Sequence, residues 1–260
     1  MTTVLRTTAT NGIRMDASRK SALVAGVLFI LTFITSIPEL FLYHPVLKDA
    51  GYIVGAGADT RALWGAFLEV ILAFSGIGTA LALFSVLRRE HEGMALGYVA
   101  TRVIESTIIV IGVISVLSVV TLRQYYAGAA GADAAALLTV GRALVAIHDW
   151  TFLLGPGLIG VAGNGMLLGY LMYRSALVPR RMALLGLIGG PLVCASGIAV
   201  LFGLYQQVSP LSAIATIPEF FWELSLGIWL TVKGFNAPAF AVASPKTATH
   251  EPTGELVSVG

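Results

Sequence analysis

The sequence predicts an all-α, polytopic membrane bundle of about six transmembrane helices with both termini cytoplasmic. The first observation behind this reading concerns solvent: 57% of the residues are hydrophobic and only 12% are charged, with a mean hydropathy of +0.85. A soluble domain carries roughly one-quarter charged residues, so this chain has too few charges to clothe a water-facing surface. The second is length, because uninterrupted apolar runs of about 20 residues match the hydrocarbon thickness of a bilayer. The third is the uneven distribution of Lys and Arg between successive loops.

Six stretches have the required length and composition: Ser21 to Leu42, Gly65 to Leu87, Ala95 to Leu122, Phe152 to Tyr173, Met182 to Leu204 and Leu211 to Val232. Each is expected to be helical, because an open strand in lipid leaves its backbone polar groups unsatisfied. The first follows Arg14, Arg19 and Lys20, and no small-x-small cleavage site comes cleanly after it, so it reads as an uncleaved span. The third is long enough to tilt or to pass the headgroups. The chain therefore divides into a cytoplasmic segment 1–20, a transmembrane domain 21–235 and a tail 236–260. The tail is rich in Ala, Pro, Ser and Thr and lacks hydrophobic periodicity, which predicts disorder.

Six spans put both termini on one side of the bilayer. That side then holds Arg6, Arg14, Arg19, Lys20, Arg88, Arg89, Arg174, Arg180, Arg181, Lys233 and Lys246. The opposite side holds Lys48, Arg61, Arg123 and, at the margin of the fourth span, Arg142. The positive-inside rule assigns the richer side to the cytoplasm. Tyr43, Trp64, Trp150 and Trp222 then fall near the outer interface, and Tyr98, Tyr173 and Trp229 near the inner one, as an aromatic belt requires. A net charge of +2 with scattered basic residues offers no nucleic-acid-binding face. The expected partner is the lipid bilayer. The single cysteine, Cys194, excludes an intramolecular disulfide or a multi-thiolate metal site and reads as a packing residue.

Glycine is concentrated in the fourth and fifth spans. Gly165 to Gly169 and Gly186 to Gly190 both have the small-xxx-small spacing that lets helix backbones approach closely. The spacing serves either packing within one chain or a homo-oligomer seam.

A charged residue near the bilayer centre costs roughly 2.5–3.5 kcal/mol, less toward the interface, so charges inside spans require partners. Glu39 lies late in the first span, Glu69 early in the second, Asp149 just ahead of the fourth, and Glu219 and Glu223 early in the sixth. In this topology all five sit toward the outer side. His148 and Arg142 lead into the fourth span at the same level, and Arg142 and Asp149, seven residues apart, share a helical face. These seven residues, Glu39, Glu69, Arg142, His148, Asp149, Glu219 and Glu223, form the candidate ligand- or ion-binding pocket.

Two segments share the pattern I-x-[ST]-I-P-E-x-F, one from Ile34 to Phe41 and the other from Ile214 to Phe221. Each proline removes a backbone donor and is expected to kink its helix beside a glutamate, the device with which many transporters build ion sites. The alternative is that proline marks a helix end and Glu39 reaches the headgroups. Glu219 and Glu223, one turn apart, share a face with Thr216 and Gly227, and two like charges there favour a shared proton, a bound cation or an arginine such as Arg142 or Arg61. Arg102 and Glu105 are three residues apart and predict an ion pair within the third span. Of the histidines, His44 and His148 lie near the outer cluster and, with Glu39, Glu69 and Asp149, provide the types of ligand a divalent metal takes. No H-E-x-x-H or Walker motif occurs, and the Gly-rich run from Gly155-Pro156-Gly157 to Gly163-Asn164-Gly165 lies inside a span rather than after a strand, so it is no Rossmann fingerprint; neither catalytic residues nor a cofactor can be assigned.

Several motifs resemble the bacterial multi-pass family known as domain of unknown function 4386. They are Y-x-P-V-L from Tyr43 to Leu47, G-x-x-x-E from Gly65 to Glu69, and A-L-G-Y-V-A-T-R-V-I-E from Ala95 to Glu105. D-W-T-F-L-L-G from Asp149 to Gly155, Y-R-S-x-L-V-P-R from Tyr173 to Arg180, and P-E-x-x-x-E-x-x-x-G-x-W-L-x-x-K-G-F from Pro218 to Phe235 complete the set. The resemblance runs from about Ser18 to Phe235. It implies a bacterial inner-membrane protein and no established substrate, cofactor or catalytic residue. Three functional classes follow: an accessory or sensing protein with an outward-facing polar pocket, a small ion-coupled transporter, and an intramembrane metal-dependent or acid-base lipid enzyme.

Reporter fusions after Arg89, Arg181 and Gly260 are expected to give cytoplasmic signals, and fusions after Tyr126 and Gln207 outer ones. A reversed pattern would overturn the orientation and move the acidic cluster to the cytoplasmic half.

Overall fold

Among the described residues every regular element is helical. The structure is a computed structural model that describes residues 5–55, 58–127 and 132–236, with side chains over 17–55, 58–127 and 133–236. In chain order the elements are α1 (Leu5–Leu42), the short α2 (His44–Lys48), a 3₁₀ turn (Tyr52–Val54), α3 (Thr60–Tyr125) and α4 (Ala132–Leu154). Two π-helical stretches (Gly155–Gly160 and Ala162–Leu168), α5 (Gly169–Ser175), α6 (Arg180–Leu201) and α7 (Pro210–Val232) follow. Among the described residues five continuous helical stretches are long and apolar enough to cross a membrane, Ala17–Leu42, Thr60–Tyr125, Asp133–Ser175, Arg180–Leu201 and Pro210–Val232.

The longest of these is two spans in one. A straight helix of 66 residues would be about 100 Å long, some three bilayer cores. It folds back at His91, whose backbone is extended (φ −161°, ψ 102°). The His91 Nδ1 accepts a hydrogen bond from the Met94 N–H at 3.1 Å, satisfying a donor that the start of the returning arm leaves free. The two arms run antiparallel and are pinned side by side. The Ser106 hydroxyl donates to the Ala73 carbonyl at 3.0 Å, and Arg102 Nε donates to the Gly76 carbonyl at 3.3 Å. Six crossings result, as the apolar runs predict.

The fourth crossing departs from its expected start at Phe152, because the helix already begins at Ala132. The Ala-rich stretch from Asp133 to Trp150 has strong helix formers but modest hydropathy, so a search for apolar runs passes over it. The fifth crossing ends at Leu201, short of the expected Leu204. Gly203 adopts a left-handed conformation (φ +74°), and the Gly203 and Leu204 N–H groups donate to the Val200 and Ala199 carbonyls, a Schellman stop. Ser209 caps α7 by accepting from the Ser212 N–H, with Pro210 in the first turn. At the other end of α7, Arg19 of α1 donates to the carbonyls of Leu230, Thr231 and Val232.

Of the residues expected to form a disordered tail, only Asn236 is described. It is tied down through its N–H to the Leu177 carbonyl and its side-chain amide to the Ala176 carbonyl. Residues 237–260 lie outside the described residues.

Buried apolar side chains form two clusters at opposite ends of the bundle. At the Arg19 end, Phe29, Leu83, Leu87, Tyr98, Met172, Trp222 and Leu226 pack together. At the Gln207 end, Tyr43, Val46, Ile53, Val116, Val119 and Leu137 form the second core. Lipid-facing apolar side chains such as Phe74, Leu81, Ile214 and Val232 are exposed, as expected where the solvent is hydrocarbon. Tyr43, Tyr98 and Trp222, assigned above to the interfacial belt, are instead fully buried.

The glycine-rich helices meet within the chain. A Cβ on Gly165 would come within 2.5 Å of the Gly190 Cα, and a Cβ on Gly169 within 3.4 Å of the Gly186 carbonyl carbon. The Gly165–Gly169 and Gly186–Gly190 pairs therefore face each other, and their spacing is used in the contact of α6 with the fourth crossing.

A polar lock holds the loop ahead of α3. Asp59 accepts hydrogen bonds from the Tyr52 hydroxyl at 2.8 Å and from Gln124 Nε2 at 2.9 Å, and it pairs with Arg123. Arg123 also donates to the Gly55 carbonyl and stacks over the Tyr52 ring at 4.3 Å. Burial works to raise the Asp59 pKa, but hydrogen bonds from Gln124 and Tyr52 and the Arg123 charge prevail, so the carboxyl stays below its usual range.

Two outcomes follow. Gly165→Val should separate two backbones and cost about 1–3 kcal/mol or more of stability. Gly97→Ala, which would meet only Leu167 at 3.6 Å, should be tolerated. Thermal unfolding of both in detergent is the test, and an unchanged midpoint for Gly165→Val would contradict the close contact. For Asp59, a pKa lowered by folding means that the stabilisation is complete above the ordinary Asp pKa and is lost as pH falls through the depressed one. Hydrogen exchange at Tyr52–Gly55 should accelerate in that acid range, and Asp59→Asn should give fast exchange already at neutral pH. Exchange in Asp59→Asn that matches wild type would rule out the lock.

Candidate functional site

Between the two apolar cores lies a polar region built from α1, both arms of α3, the fourth crossing and α7. Glu39, on the last turn of α1, meets Glu69 of α3 and His148 of α4. One potential ligand atom from each lies within 4.8 Å of the others, and all three side chains are buried. Gly65 explains why Glu69 has room beside it. One turn earlier on the same face, its missing side chain admits the Tyr43 ring, which would lie 2.7 Å from a Cβ. Tyr43 packs edge-on against His148 with ring centroids 5.4 Å apart, and its hydroxyl faces Glu69. The Tyr43 hydroxyl is within reach of the Glu69 carboxyl without a well-aligned hydrogen bond to it, and His148 Nδ1, also buried, has no hydrogen-bond partner.

Glu219 and Glu223 project from α7. A Cβ on Gly189 would come within 2.5 Å of the Glu219 backbone, and Cβ atoms on Gly165 and Gly189 would both collide with Glu219 Oε2. Small residues thus make the space this carboxylate occupies, yet neither Glu219 oxygen has a hydrogen-bond partner. Glu223 accepts a hydrogen bond from the Asn164 side-chain amide, and the Asn164 carbonyl accepts from Trp222 Nε1 at 3.0 Å. Asn164 lies in the second π-helical stretch, a geometry frequent at functional sites.

Arg102 and Glu105 form the expected ion pair at 2.6 Å, with both side chains buried. Gly160 leaves the gap that the Glu105 carboxylate fills, and Gly76 the gap beside the Arg102 guanidinium.

One cavity of about 330 Å³ joins these groups. Its lining includes Glu39, Glu69, Glu105, Glu219 and Glu223, with Arg102 as the basic residue, and it reaches Gln207 and Ser212 at the end of the bundle opposite Arg19. Phe33, Leu72, Ile109, Phe152 and Phe220 contribute apolar wall.

Arg142 and Asp149 do not join it. Both are exposed and line a separate cavity of about 200 Å³ with Lys48 and Asp49. The cause is helical phase. Successive residues on a helix differ by about 100°, so when His148 points inward, Asp149 cannot. Arg142, one face with Asp149, goes with it and offsets none of the pocket's charge. His44 is exposed as well. Arg61, the other suggested partner for the α7 glutamates, instead donates to the Phe41 carbonyl.

The two prolines lie outside the cavity. α1 and α7 stay helical through Pro38 and Pro218, and neither proline lines the cavity. The irregular backbone lies instead in the π-helical stretches, whose Pro156, Gly157, Gly160, Val161 and Asn164 form cavity wall. Asn164 and Tyr43 are site residues that the sequence reading missed. A polar amide between two glycines in an apolar span was the available signal for Asn164, while Tyr43 gave none that separates it from an interfacial tyrosine.

No curated protein and no solved structure matches the chain. The profile of the family described as domain of unknown function (DUF4386) matches residues 24–234. That stretch contains both arms of α3, the π-helical stretches and every residue lining the cavity, and the chain belongs to this family.

Proposed function

We propose that the protein is an accessory or sensing protein of a bacterial inner membrane, whose outward-facing pocket binds a small amphipathic organic cation. The observation that carries this reading is the composition of the lining. Five carboxyl side chains, Glu39, Glu69, Glu105, Glu219 and Glu223, share the cavity with one guanidinium, and Arg102 is already committed to Glu105. Charges taken out of water require compensation, and a bound cation supplies it. The volume of about 330 Å³ lies at the lower end of small-molecule pockets, roughly 300–1,000 Å³. Apolar walls select a ligand with hydrocarbon, and Phe33, Phe152 and Phe220 add ring faces that favour a positive charge. With both termini cytoplasmic, the mouth at Gln207 and Ser212 faces the outer side.

A second reading, a small ion-coupled transporter, draws support from the π-helical backbone beside the cavity. Irregular hydrogen bonding at membrane depth is found where backbone lines a cavity, and transporters place coupling ions at such helix interruptions.

Titration calorimetry of the nanodisc-embedded protein with tetraphenylphosphonium and hexyltrimethylammonium should show saturable, equimolar binding, while uncharged isosteres should not bind. Glu219→Gln should weaken cation binding at least tenfold, about 1.4 kcal/mol. Equal affinity for charged and uncharged isosteres would eliminate the proposed selectivity. Uptake of the cation into proteoliposomes, dependent on an ion gradient, would replace the sensing reading with the transporter one.

A further inference from the structure

We propose that Glu39, Glu69 and His148 form a binding site for one first-row divalent metal ion, Zn²⁺ or Mn²⁺, in the cavity wall. The three come from different helices, and a potential ligand atom of each already lies within 4.8 Å of the other two. Ligands at 2.0–2.2 Å from a tetrahedral ion are about 3.4 Å apart, so side-chain adjustments on the order of an ångström close the set.

Burial separates this trio from a surface acidic patch. Glu39, Glu69 and His148 retain 3%, 5% and 4% exposure, yet His148 Nδ1 has no hydrogen-bond partner and Glu69 has only the Tyr43 hydroxyl beside it. Buried polar atoms are almost always satisfied. Among the described residues the ion pairs are Arg102–Glu105 and Arg123–Asp59, so no basic side chain pairs with Glu39 or Glu69. Two carboxylates and a neutral imidazole sum to two negative charges, which one divalent ion cancels in a place where uncompensated charge is costly.

The donor set of two oxygens and one imidazole nitrogen suits Zn²⁺ and Mn²⁺. Tyr43, fully buried with its hydroxyl facing the Glu69 carboxyl, stands where a residue orienting a ligand would. Glu39 and Glu69 line the cavity and His148 does not, so the ion is reached from the cavity and is backed by α4. The site rests on this geometry alone and does not require the organic cation; with Glu39 and Glu69 taken up by the metal, Glu219 and Glu223 remain in the lining for that cation.

The experiment uses the full chain, stripped with chelator and returned to nanodiscs. Titration with Zn²⁺ and, separately, Mn²⁺ is followed by calorimetry and elemental analysis. About one equivalent of at least one of the two metals per chain is expected, with a metal-dependent rise in unfolding temperature. Glu69→Gln and His148→Ala should each weaken that binding at least a hundredfold, while Glu219→Gln leaves it within about threefold. Helix content by circular dichroism checks that the variants are folded. Should either variant fail to fold, the wild-type stoichiometry and the spectrum of Co²⁺ substituted into wild type decide: one equivalent with intense visible bands from a low-symmetry site supports the assignment. Absence of stoichiometric binding of both metals to wild type overturns it, as does unchanged affinity in folded Glu69→Gln and His148→Ala. Loss of organic-cation binding in Glu219→Gln with metal retained, or the reverse pattern in Glu69→Gln, separates this proposal from the preceding one.

Discussion

Carboxylates held away from water inside a lipid-solvated bundle set the terms for the rest of the architecture. Each costs several kcal/mol unless something meets its charge, and hydrocarbon offers no compensation. Helices therefore turn these groups inward, and their backbones must leave room for them there. Glycine provides that room. Gly160 opposes Glu105, Gly165 and Gly189 flank Glu219, and Gly65 makes space for the tyrosine that faces Glu69. The same absence of side chains brings α6 against both α7 and the fourth crossing, so close packing and charge accommodation share residues.

The two apolar cores follow from this arrangement. Lipid gives helices no hydrophobic drive to associate, so they are held by close packing, and that packing grips them above and below the polar centre. At the Arg19 end the grip is the cluster around Phe29, Leu83 and Trp222. At the Gln207 end the second arm of α3, α4 and the loop carrying α2 pack around Val116 and Ile53. Trp222 belongs to both regions, since its ring sits in the apolar cluster while its N–H reaches the Asn164 carbonyl.

The spans were legible because run length and hydropathy are one-dimensional properties. So was the Arg102–Glu105 pair, since spacing on one helix sets it. Depth could be read from position along the span, and it places Asp149 and His148 together. Phase could not, because which of two neighbouring residues faces inward depends on how α4 rotates against α3, and His148 faces inward while Asp149 does not. The helix breaks expected at Pro38 and Pro218 are missing from the cavity wall for a different reason. Proline's φ is already helical, and the lost hydrogen bonds lie near the ends of α1 and α7, where the rest of the helix remains intact. The departures from α-helix occur at a Gly-Pro-Gly and a Gly-Asn-Gly sequence, where low side-chain bulk lets the backbone widen.

Arg19 ties the first crossing to the last. Its guanidinium spans three carbonyls at the end of α7, more than two hundred residues later in the chain. During synthesis that arginine enters the membrane long before its acceptors exist. The contact between the first and sixth crossings forms only once α7 has been made, so the ring of helices closes no earlier than that. The cavity, walled by both α1 and α7, is thus among the last features to form, and a chain cut short before α7 lacks one side of it.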